Sequence, residues 1–133
     1  MPSPTTASPL AGNVIGPPEG AFVIAEWKAP EAPPGPPRLI APLHTPHSDD
    51  EAWYVLEGVL RIRNGDVEIE VPAGSSVFVR RGTPHTYWNP SPHPVRYLLM
   101  MTPNICRLIQ EIHALPNRSP SVLKARKARL RTF

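Results

Sequence analysis

The stretch that decides the fold is "HTPHSDDEAWYVLEG", His44 to Gly58. Two histidines and three successive acids precede an apolar run that a glycine closes. In an extended strand successive side chains point to opposite faces, so Glu51, Trp53 and Val55 share one face and Tyr54 takes the other. Two imidazoles and a carboxylate at a strand end are the raw material of a transition-metal site. A polar loop feeding an ordinary strand would use the same residue types, so the neighbouring segments must decide.

Downstream, "VLRIRNGDVEIEV" (59–71) reads as a β-hairpin. Asn64-Gly65 suits a two-residue turn that needs positive φ. Counting outward from it pairs Arg63 with Asp66, Ile62 with Val67, Arg61 with Glu68 and Leu60 with Ile69. One face is then apolar and the other matches opposite charges. "SVFVR" (76–80), "HTYWN" (85–89) and "VRYLLMM" (95–101) are further strands, as are "AFVIAEW" (21–27) and "RLIAPLH" (38–44) upstream. About eight short strands with turn signals between them predict a sandwich or barrel. The twenty prolines support this, since they stiffen connections and avoid central strands.

After Met101 the period changes. Thr102-Pro103 is a good N-cap and first-turn pair, and Ile105, Leu108, Ile109 and Ile112 form one apolar stripe. This predicts a helix over 103–115 that docks on the β body. Cys106, beside the stripe, reads as a packed thiol rather than a nucleophile.

The 133 residues suit one core. The organisation expected is a Pro-rich arm (1–19), a barrel (20–102), the helix (103–115) and a basic tail (116–133). Of fourteen Lys and Arg residues, five follow Ser119 with no acid among them, leaving nine against eleven acids in the body. Nucleic-acid binding would rest on that tail alone, and a solvated terminal segment is the preferred reading. One cysteine leaves no disulfide framework. With neither a secretory-signal pattern nor a membrane-length apolar run, a cytoplasmic setting is expected.

The chain resembles a small cupin. That family's first motif runs G-x5-H-x-H-x3,4-E-x6-G, and Glu51-x6-Gly58 matches its end. The second runs G-x5-P-x-G-x2-H-x3-N, and Gly74, Gly82, His85 and Asn89 match it, with Arg80 in place of the proline. The resemblance covers roughly Arg38 to Thr102. It implies an all-β fold, a double-stranded β-helix or jelly-roll barrel, here with a C-terminal α-helix. It also implies that His44, Glu51 and His85 bind a divalent transition metal (Fe, Mn, Ni, Cu or Zn), with His47 as an auxiliary ligand. The first motif is altered: with His44 in its first histidine position, the second falls on Pro46, and the sequence offers His-x-x-His. The plainer reading of His47 is a solvated loop histidine.

Trp53, Tyr87 and Asn89 share strand parity with the ligands and are the expected small-molecule pocket. The family implies an oxygenase or isomerase as the reaction, and the residues name no catalytic group. The alternative is a metal-free cupin serving as a ligand-binding or structural module. Cupins of this size also associate through their outer sheet or N-terminal strand, which implies a homodimer.

Overall fold

The computed structural model describes residues 13–46 and 48–114, apart from the side chain of His113. His47, the basic tail and most of the expected arm lie outside that set. Nine strands precede one helix. They are β1 (Val14–Ile15), β2 (Val23–Ala29), β3 (Leu39–His44), β4 (Glu51–Glu57), β5 (Val59–Asn64), β6 (Val67–Pro72), β7 (Ser76–Val79), β8 (His85–Trp88) and β9 (Val95–Met101), followed by α1 (Pro103–Ala114). One sheet has the order β1-β2-β9-β4-β7 and the other β3-β8-β5-β6, and every pairing is antiparallel. This is the all-β jelly-roll barrel that the resemblance implies, with the C-terminal helix added.

Period-2 alternation builds the core. Along β9, Val95, Tyr97, Leu99 and Met101 are buried while the residues between them are half-exposed. In β4, Glu51, Trp53 and Val55 turn inward and Tyr54 outward, as their parity predicts. The opposing sheet contributes Leu60, Ile62 and Tyr87. Val14–Ile15, read as part of an arm, instead pairs with Ala25 and Ile24 at the edge of the first sheet.

The hairpin differs from its expected register. Asn64 pairs with Val67, Arg63 with Glu68, Ile62 with Ile69, Arg61 with Glu70 and Leu60 with Val71. The turn therefore centres on Gly65-Asp66, with Gly65 at a φ of 63°. A shift of two residues preserves both the apolar face and the charge match, so patterning cannot tell the two registers apart. Contact with a third segment separates them. The Gly65 N–H donates to Pro84 O at 2.8 Å, and Asn64 stands opposite His85 on β8.

Helix α1 lies across the seam between the edge strands. Cys106 and Arg107 sit beside Val14 and Val23, and Ile109 and Ile112 beside Ile40, Ala41 and Pro42. The apolar stripe is buried as its spacing requires, with Ile105 at 0% exposure. Thr102 Oγ1 accepts from the Ile105 N–H at 3.3 Å, which caps the helix. Cys106 is buried in the core cluster, and burial pushes its thiol up, away from the reactive thiolate. No helix among the described residues is long and apolar enough to cross a membrane.

Two turns invite tests. Gly58 ends β4 at a φ of +82°, and a Cβ there would meet Pro94 O at 2.7 Å; Gly74 has a φ of +84° and open space. Gly74→Ala should incur only the backbone cost of about 1–2 kcal/mol. Gly58→Ala adds a clash with backbone and should lower the denaturation midpoint further. Equal losses would show that the Pro94 carbonyl gives way freely. Asp50 pairs with Arg81, whose hydrogen bonds hold the exposed Asp50 carboxyl down at about 2, below the ordinary 3.8. A carboxylate depressed on folding contributes above its unfolded pKa and loses that contribution as pH falls through the folded value. The melting-temperature gap between wild type and Asp50→Ala should be full near neutrality and shrink as pH falls toward about 2. A gap that stays constant with pH would rule out the charge pair as its source.

Candidate metal centre

Three strands bring His44, Glu51 and His85 together. His44 ends β3 and pairs with His85, the first residue of β8, while Glu51 opens β4 in the opposite sheet. Strand β3 reaches this point irregularly. Its register shifts between Leu39 and Ala41 and again between Ala41 and His44. It is also an edge strand, where the missing N–H of Pro42 is tolerated.

His44 Nε2 lies 3.5 Å from Glu51 Oε1, and His85 Nε2 lies 3.0 Å from the same oxygen. One donor atom from each residue falls within 4.8 Å of the others. The far nitrogens are occupied by backbone. His44 Nδ1 donates to Pro42 O at 2.7 Å, and His85 Nδ1 donates to Thr83 O at 3.1 Å. With Nδ1 so held, each ring keeps its Nε2 facing Glu51. Carbonyls that fix the outer nitrogen in this way are the usual support of a metal-binding histidine.

Glu51 is 2% exposed. Burial pushes its carboxyl up, but the hydrogen bonds and charge of His44 and His85 more than offset it, leaving the group below the ordinary carboxylate range. Three acceptors on one point repel unless a cation or a proton lies between them. Metal–ligand bonds of about 2.1 Å at octahedral to tetrahedral angles space neighbouring donors about 3.0–3.4 Å apart. The observed 3.0 and 3.5 Å fit such a set.

The loop before Glu51 is fastened to the turn before His85. The Gly82 N–H donates to Pro46 O at 2.6 Å. The Arg81 N–H donates to Asp50 Oδ1 at 2.8 Å, and its guanidinium meets both Asp50 oxygens at 3.2 and 2.9 Å. Thr102 Oγ1 donates to the buried Asp49 at 2.7 Å while capping α1, which ties the same loop to the helix. Neither Asp49 nor Asp50 belongs to the site set expected from the sequence. The available signal was their place directly before an inward-facing strand residue.

The expected pocket residues do not share one cavity. Trp53 meets the edge of His85 at 5.7 Å between ring centroids, and Tyr87 lies 5.3 Å from Trp53. Both are nearly fully buried and fill the barrel behind the histidines. Tyr97, which was absent from that expected set, brings its hydroxyl to 3.1 Å from that of Tyr87. Burial pushes Tyr97 up to about 12 and Tyr87 well above its ordinary value, so both stay protonated near neutrality. Asn89 instead lies toward the far end of β8. There its Nδ2 donates to Pro30 O at 3.0 Å and His93 O at 2.7 Å.

Comparison with known proteins agrees with this architecture. The family model for the cupin domain matches residues 35–101. A comparison with curated proteins found no match. Among solved structures, TT1209 from Thermus thermophilus superposes with a TM-score of 0.53 at 24% identity, over 62% of this chain and 73% of its own. The Cnp3 cupin domain of Schizosaccharomyces pombe gives 0.57 at 14% identity, over 80% and 70%. A sugar phosphate isomerase of the cupin superfamily from Silicibacter pomeroyi gives 0.53 at 20% identity, over 62% and 51%. Such identities speak for the fold alone, whereas the family match spans half the sequence and both segments that carry the triad. The chain belongs to the cupin family.

Proposed function

We propose that this cupin holds one divalent transition metal on His44, Glu51 and His85 and presents it to a small organic ligand. The observation that carries this is the convergence of two backbone-anchored imidazole nitrogens on one oxygen of a buried carboxylate. Two imidazoles and one carboxylate with open positions suit Fe(II), and Mn, Ni, Cu or Zn also accept such donors. When bound, the metal would supply Lewis-acid polarisation of a ligand oxygen, and redox chemistry if it is Fe, Mn or Cu.

The protein's own groups support that role. Glu51 supplies the negative charge, and Pro42 O and Thr83 O hold the rings in place. Trp53 and Tyr87 exclude water from the inner side. The His44 side chain is 8% exposed, against 1% for His85 and 2% for Glu51, so ligand approach is read on the His44 side. An oxygenase or an isomerase would use the same constellation. The isomerase named above shows that the superfamily hosts such chemistry, while the fold by itself selects no reaction. A homodimer and a cytoplasmic setting remain part of this reading.

The test is metal content in protein made without a histidine tag, stripped by chelator and reloaded with Fe(II), Mn, Ni, Cu or Zn singly. About one metal per chain is expected for at least one ion, and saturation at a hundredfold excess over Kd should add about 2.7 kcal/mol to stability. His85→Ala and Glu51→Gln should each weaken that binding by at least about tenfold while remaining folded. Elemental analysis and thermal melting with and without the ion provide the readouts. If every ion stays far below stoichiometric, or His85→Ala binds like wild type, the metal assignment is wrong. The first outcome favours the metal-free module.

A further inference from the structure

The end of the barrel away from the triad carries a cavity of about 310 Å³. Along the β3–β8 pair, His44 stands opposite His85 at one end and Leu39 opposite Trp88 at the other. The cavity lies at this second end, among Trp27, Ile40 and Tyr97, with the 30–33 segment and Asn89 as its wall. It falls in the lower part of the usual ligand-pocket range. Tyr87 and Trp53 are packed between it and His85.

This cavity is built rather than left over between mobile loops. Asn89 Nδ2 bridges Pro30 O and His93 O, the Ser91 N–H donates to Asn89 Oδ1 at 3.0 Å, and the Ala32 N–H donates to Ser91 O at 2.9 Å. Prolines at 30, 33, 34, 36 and 37 stiffen the connection. Two cations, Lys28 and Arg38, and one acid, Glu31, line it, and among the described residues none of the three forms an ion pair. An excess of one positive charge matches a monoanion. Arg38 offers the planar fork that a carboxylate accepts in two parallel hydrogen bonds.

We propose that this cavity is a second ligand site, independent of the metal centre, for a small monocarboxylate with a flat apolar body. The carboxylate faces Arg38, and the body lies among Trp27, Ile40 and Tyr97. The binding is non-covalent.

The test titrates the full chain with 2-naphthoate and with its neutral twin 2-naphthamide, followed by calorimetry and protein NMR. Saturable naphthoate binding is expected, with shifts at Ala29 and Ile40. Naphthamide should bind at least about tenfold more weakly, and Arg38→Gln should weaken naphthoate by a similar factor and remove the preference between the two. Arg38 is exposed, so the variant should keep the wild-type melting temperature. His85→Ala should bind naphthoate as wild type does. The proposal is overturned by no naphthoate binding, by equal affinity for both probes, or by an unchanged Arg38→Gln. Loss of binding in His85→Ala with shifts at His44 would also overturn it and place naphthoate on the triad.

Discussion

Two imidazole nitrogens approach one oxygen of a buried carboxylate, and the surrounding structure is arranged around that contact. Burying an uncompensated carboxylate is costly, and two more lone pairs directed at it would raise the cost. The arrangement therefore needs positive charge at its centre, and the surrounding fold is organised to hold the three groups around that point. Glu51 comes from one sheet, His44 and His85 from the other, so the triad spans the barrel from sheet to sheet. Any sliding of the sheets would separate its donors.

Contacts outside the triad also hold these segments together. Three residues shortly before Glu51 are each fastened to a neighbouring segment: Pro46 O to Gly82, Asp50 to Arg81 and Asp49 to Thr102. The first two hold the turn that delivers His85, and the third holds the junction where β9 becomes α1. Pro46 stands where the family motif has a histidine. Its carbonyl is spent on Gly82, so this position now contributes to positioning through the main chain rather than through a side chain. The irregular register of β3 belongs to the same adjustment, because two shifts within six residues bring His44 opposite His85.

Most of the fold was legible because strand period and burial are linked. Glu51, Trp53 and Val55 share a parity that fixes their face wherever the strand lies, and the helix stripe after Thr102 reads as simply. The hairpin register was not legible, since alternating sequence is degenerate under a shift of two, and the choice depends on Pro84 and His85 in a later segment. The triad was legible through spacing and resemblance. The Asp49 and Asp50 fastenings were not, because an acid in a loop looks the same whether its partner is water, Arg81 or Thr102. Asn89 had the right parity for an inward residue. Parity says nothing of position along the barrel, however, and Asn89 lies at the other end from His85.

That difference in position divides the interior. Trp53, Tyr87 and Tyr97 stack edge to face through the middle of the barrel, with centroid separations of 5.3 and 5.7 Å. Large buried aromatics close the space between sheets at a few positions and carry much of the core energy. Here they also make a partition. The hydroxyl pair of Tyr87 and Tyr97 is satisfied within it. A ligand at the triad and a ligand in the far cavity would each meet one side of the same aromatic wall. The barrel is thus too well filled for one small molecule to reach both ends, and selectivity for a ligand at the triad would be set by the few residues around His44 rather than by the length of the barrel.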